Sequence, residues 1–128
     1  MVQTLVSLAL LAHGVGHALF AGNVLGYWRA EATAPTLLGD AIATSAPLTG
    51  VAAILFLAAL AGFVAVAWGY WTDAQWWPTA LLGAAAVSGL LVVAAWGALN
   101  TSNAMFALIF DAAALAALLW RTGAVVGD

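Results

Sequence analysis

Residues 47–71 read PLTGVAAILFLAALAGFVAVAWGYW, a stretch of twenty-five positions with no charged side chain. The hydrocarbon core of a bilayer is about 30 Å thick and takes ~20 helical residues to cross. A run this long and apolar predicts a membrane-spanning helix rather than a buried strand or a soluble core helix. Three more stretches of that kind are present, at about 2–28, 78–99 and 104–120. The connections between them are marked by polar and helix-breaking residues. RAEATAPTLLGDAIATSAP begins at Arg29 and makes a polar loop over 29–46, TDAQWWP separates the second span from the third, and NTSN at 100–103 precedes the fourth. Pro78 suits the first turn of a helix, where its missing N–H is not needed. Ser102 or Asn103 is suited to cap the last helix.

The composition agrees with this reading. Of 128 residues, 66% are hydrophobic and 5% charged, with a mean hydropathy of +1.11, whereas a soluble domain is about half apolar and about one quarter charged. The net charge of −3 and the absence of lysine exclude a basic nucleic-acid surface. No cysteine is present, which removes disulfides, thiolate metal sites and CxxC redox chemistry. The first span lacks a basic leader and runs past the ~7–15 residues of a signal core, so it is expected to persist as a span.

The sequence therefore predicts an all-α, four-helix transmembrane bundle of up-down-up-down topology, a single integral-membrane domain over 1–128 with both termini on one side. Trp and Tyr favour the membrane boundary. Trp68, Tyr70, Trp71, Trp76, Trp77 and Trp120 fall on the terminus side, while Tyr27, Trp28 and Trp96 fall on the loop side. Trp28, Trp71, Trp76 and Trp77 are read as interface anchors. Each side holds one arginine, Arg29 or Arg121, so the positive-inside rule gives no orientation.

Within the first span, LAHGVGHALF at 11–20 places His13 and His17 one helical turn apart on one face. Ionisable groups in hydrocarbon are costly unless satisfied, and they usually turn inward at a site or pathway. Counting depth from the loop side brings His17 level with Asp111 of the fourth span and Ser88 level with His13. His13, His17, Asp111 and Ser88 thus form a candidate polar cluster, with a His17–Asp111 pair expected. Four uses of it stand side by side: a structural network that fixes the bundle register, a proton or substrate pathway, a metal site, and a haem site. Two histidines and a carboxylate can ligate a metal, yet the glutamate of the HEXXH pattern is missing between these histidines. Gly22 and Gly26, a GxxxG pair pointing nearly the opposite way, are read as a helix-packing face.

The HGxxH pattern of His13, Gly14 and His17, the Trp-rich YWTDAQWWP connection and the stretch from Trp96 to Asp111 resemble landmarks of a group of small, uncharacterised four-span prokaryotic membrane proteins. That resemblance implies the four-span topology and a prokaryotic cell-membrane location, and it implies no reaction. In the group an asparagine usually stands where Asp111 falls.

No nucleophile–base arrangement, phosphate-binding loop or catalytic carboxylate pair is present, so no enzymatic activity is read from the residues. The first functional expectation is a small polytopic protein that acts by association, as a homo-oligomer or as an accessory subunit of a larger membrane complex. The alternative is a membrane carrier or binding protein that uses His13, His17 and Asp111 for a proton, metal, haem or quinone. Its expected partners are the lipid bilayer and other membrane subunits or itself.

Overall fold

Both prolines that flank the central spans sit in the first turn of a helix, where the ring's fixed φ is already helical. The computed structural model describes residues 1–27 and 38–121. Its helices are α1 (Val2–Val24), α2 (Gly39–Thr44), α3 (Ala46–Trp71), α4 (Trp77–Ala94) and α5 (Thr101–Arg121), with a 3₁₀ turn over Trp96–Ala98. Among them α1, α3, α4 and α5 are long and apolar enough to cross a membrane. The chain is an all-α membrane protein of four spans, packed as an up-down bundle in which sequence neighbours touch: α1 on α3, α3 on α4, α4 on α5. The first and last spans barely meet, which leaves an open seam between α1 and α5.

The helix ends follow local chemistry. Leu25 is the C-cap of α1, and Gly26 takes φ +79. The Tyr27 N–H then donates to Gly22 O and the Gly26 N–H to Asn23 O, both at 3.0 Å. These are the paired bonds of a Schellman motif, in which the left-handed residue is best supplied by glycine. α1 therefore stops at Val24 and not near Trp28, and Gly26 no longer shares a helix face with Gly22. The expected GxxxG packing face is corrected accordingly: Gly22 is buried, while a side chain at Gly26 would meet nothing within 4 Å. Trp28 lies outside the described residues.

α3 ends in the same motif, with the Ala74 N–H donating to Gly69 O and the Asp73 N–H to Tyr70 O. Here the left-handed position is held by Asp73, at φ 53. Left-handed backbone costs an L-residue roughly 1–2 kcal/mol, somewhat less for Asp and Asn. Replacement of Asp73 by glycine is expected to stabilise the bundle by up to about 1 kcal/mol, read as a higher thermal midpoint in detergent. An unchanged or lower midpoint would contradict the strain assigned to this turn.

At the other end of the molecule, α4 gives way to the 3₁₀ turn after Ala94, short of the expected end at 99. Leu99 is extended, and Asn100 then caps α5: its Oδ1 accepts from the Asn103 N–H at 3.2 Å. That is the N-cap to N3 bond, so the cap is Asn100 rather than Ser102 or Asn103, and α5 begins three residues before its expected start. The short α2 inside the expected polar loop was not foreseen. It packs on α3 and the 3₁₀ turn and adds the buried Ile42 to the loop-side end of the core.

Two apolar clusters fill the bundle. One, on the loop side, is built around Phe20, Phe56, Val92 and Leu99, and the other, on the terminus side, around Leu10, Phe63, Val66 and Leu81. Trp71 and Trp76, read from the sequence as interface anchors, are exposed at 49% and 47%. Trp77 departs from that expectation. It is 7% exposed, edge-on to Tyr70 and beneath the Arg121 guanidinium at 5.1 Å. Its inward turn is made possible by Gly69, where an added Cβ would stand only 2.9 Å from the Cβ of Trp77. On the same side, Gln3 Nε2 donates to the carbonyls of Tyr70 and Trp71, both at 3.0 Å, satisfying acceptors left over at the end of α3.

Candidate functional site

Between the two apolar clusters lies a polar layer contributed by three spans: His13 and His17 from α1, Ser88 from α4 and Asp111 from α5. Asp111 is ten residues past the start of α5 at Thr101, or about 15 Å deep at 1.5 Å per residue. The layer thus sits near mid-membrane, where no water competes for its hydrogen bonds.

His13 Nε2 lies 2.9 Å from Asp111 Oδ1. His17 Nε2 lies 2.7 Å from Ser88 Oγ, which in turn is 2.6 Å from Asp111 Oδ2. His17 Nδ1 donates to the His13 carbonyl at 3.1 Å. The sequence brought these residues to one level but paired them differently. Asp111 takes His13 directly and reaches His17 only through Ser88. His17 and Ser88 are fully buried and Asp111 is 3% exposed.

Aromatic rings fix the imidazoles in place. Phe110 stacks on His13 with ring centroids 4.1 Å apart and planes 12° from parallel, and Phe63 meets the same ring edge-on at 4.5 Å. Phe63 also leans against His17 at 5.5 Å. Gly14, between the histidines, lets α1 approach α3: a Cβ there would stand 3.0 Å from the Phe63 Cβ and 3.4 Å from the Leu60 carbonyl oxygen.

Counting donors and acceptors fixes the protons. The contacts on either side of Ser88 are both short enough to require a hydrogen, and serine brings one. His17 Nδ1 must also carry a hydrogen, because a carbonyl can only accept. Two arrangements satisfy every contact and keep the layer uncharged overall. In one, Asp111 is ionised, Ser88 donates to it, and a doubly protonated His17 donates to Ser88. In the other, a neutral Asp111 donates to Ser88, which donates to the unprotonated Nε2 of His17.

The two differ by a concerted shift of two protons, from Asp111 to Ser88 and from Ser88 to His17. Both leave the layer electrically neutral when His13 is neutral, which is the condition an apolar medium favours. In both, His13 spends its single proton on the bond from Nε2 to Asp111, so Nδ1 keeps a free lone pair.

The His13 side chain is 8% exposed, Nδ1 has no hydrogen-bond partner among the described residues, and the ring lines a cleft of about 470 Å³ between α1 and α5. Gly16, Phe106 and Ala107 are among its other walls. A second chamber of about 340 Å³ continues along the seam toward Trp77 and Arg121, and Ala9 and Phe110 border both.

Among the described residues, no three side chains of the His, Cys, Asp or Glu kind converge to hold a metal ion. The nitrogens that a metal or haem iron would take are committed to hydrogen bonds on His17 and at His13 Nε2. Sequence reading missed the part played by Phe110 and Phe63. The adjacency of Phe110 to Asp111 was the available signal, since consecutive helical residues diverge by ~100° and so could hold both the face and the edge of one ring.

The chain matches no protein-family model, no curated protein and no solved structure.

Proposed function

We propose that this is a membrane-embedded binding protein that receives a small lipophilic ligand at His13, by lateral entry through the cleft between α1 and α5. His17, Ser88 and Asp111 form the neutral backing that holds the His13 ring and its proton in one orientation. The observation that carries this reading is that the ring of His13, with no hydrogen-bond partner on Nδ1 among the described residues, lines the cleft. Ligand sites are commonly concave, mostly apolar and furnished with few, well-placed polar groups. Association as an oligomer or accessory subunit draws on the Gly22/Gly26 pair, the boundary aromatics and the small share of polar chain, and of these the left-handed turn at Gly26 removes the glycine pair from the face of α1. The binding reading is the one we retain.

Lateral access has a direct test in lipid nanodiscs with ¹⁵N-labelled histidine. A paramagnetic probe confined to the acyl region is expected to broaden the His13 ring signals more strongly than those of His17, whose ring is fully buried 4.9 Å away. Equal protection of the two rings would show that the cleft does not open to lipid.

A further inference from the structure

The proton count of the polar layer also selects the chemistry of the ligand, an inference that rests on the binding reading above. Nδ1 of His13 carries a lone pair in both satisfied arrangements, so it accepts a hydrogen bond and does not donate one. A carbonyl, ether or carboxylate oxygen facing it would be repelled; an O–H would be held. We infer that the cleft takes a lipophilic hydroxyl compound, a phenol, quinol or long-chain alcohol, whose O–H donates to His13 Nδ1.

The shape of the seam agrees with a head joined to a tail. The head chamber is bordered by the small residues Ala12 and Gly16 and by the ring of Phe106. A Cβ at Gly16 would meet nothing within 4 Å, so the space beside His13 is open. Past Phe110, the tail chamber is walled by Val6, Leu10, Ala113 and Leu118 and ends at Trp77 and Arg121. An apolar chain lying there would cover the stretch over which the first and last spans fail to pack. Sites built to hydrogen-bond a hydroxyl discriminate strongly against analogues that lack it, because the buried acceptor is then left unpaired.

Four probes separate the possibilities in nanodiscs: decyl hydroquinone, its dimethyl ether, the corresponding decyl quinone, and decanol. Decyl hydroquinone is expected to bind at least about tenfold more tightly than the ether or the quinone and to move the His13 Nδ1 resonance upfield. Decanol tells the sources apart: binding equal to the hydroquinone assigns the site to aliphatic alcohols, and weaker binding assigns it to aromatic ones. Gly16→Leu puts a side chain into the head chamber at a position where its Cβ meets nothing within 4 Å, so it abolishes binding while the His17 signals stay in place. Ala113→Leu narrows the tail chamber and weakens the decyl compound more than a methyl-substituted one. Ether or quinone binding as tight as the hydroquinone's, still blocked by Gly16→Leu, overturns the donor requirement and leaves the lateral site standing. Binding of all four that ignores Gly16→Leu overturns both.

Discussion

Asp111→Ala is expected to destabilise the protein by about 3 kcal/mol, whereas Asp111→Asn stays within about 1 kcal/mol of the parent. Alanine removes the acceptor of His13 and one of the two partners of Ser88, leaving the His13 Nε2–H unpaired and Ser88 with His17 alone. Asparagine instead reproduces the arrangement in which the acid keeps its proton. Its Oδ1 accepts from His13, its Nδ2 donates to Ser88, and Ser88 donates to His17 across the contacts of 2.9, 2.6 and 2.7 Å. Thermal midpoints of the two variants in one detergent decide the matter. Equal losses would mean that the layer depends on the carboxylate charge, and would select the arrangement in which Asp111 is ionised and His17 doubly protonated.

Gly14→Leu is expected to cost about 3 kcal/mol and to disperse the histidine signals. The atoms that a Cβ at this position would press upon, the Phe63 Cβ and the Leu60 carbonyl oxygen, belong to or adjoin the α3 backbone and cannot swing aside. Relief comes only when α1 retreats from α3, and the hydrogen bonds from His13 and His17, on either side of Gly14, lengthen with it. Gly16→Leu is the matched control, because open space receives its side chain; its effect is expected within about 0.5 kcal/mol. Similar losses at the two positions would show that the approach of α1 to α3 does not set the cost at Gly14.

The four spans were legible because uncharged length has few alternative explanations. Membership of the polar layer was legible too, since depth can be counted along a helix. The pairing was not, and the reason lies in the helix ends. Measured from the true loop-side ends, His13 is eleven residues before Val24 and Asp111 ten after Thr101, so those two are level. His17 is seven before Val24 and Ser88 six before Ala94, which makes them the second level pair. The shift of one turn came from the cap at Asn100 and the left-handed turn at Gly26, both read from sequence as interior or connecting residues. Trp77 shows a different limit. A tryptophan beside a boundary is an anchor by composition, but Gly69 on the neighbouring helix makes room for it inside, and a contact between helices leaves no mark on either segment alone.

The separation of α1 from α5 carries a consequence for biogenesis. During synthesis, both imidazoles and the serine enter the bilayer before their carboxylate has been made. Until the last span arrives, the incomplete bundle presents unmatched polar side chains at mid-depth, a form suited to recognition by membrane chaperones or proteases. Arrival of Asp111 ends that vulnerability at one stroke, and the acid thereby marks the moment at which assembly is complete.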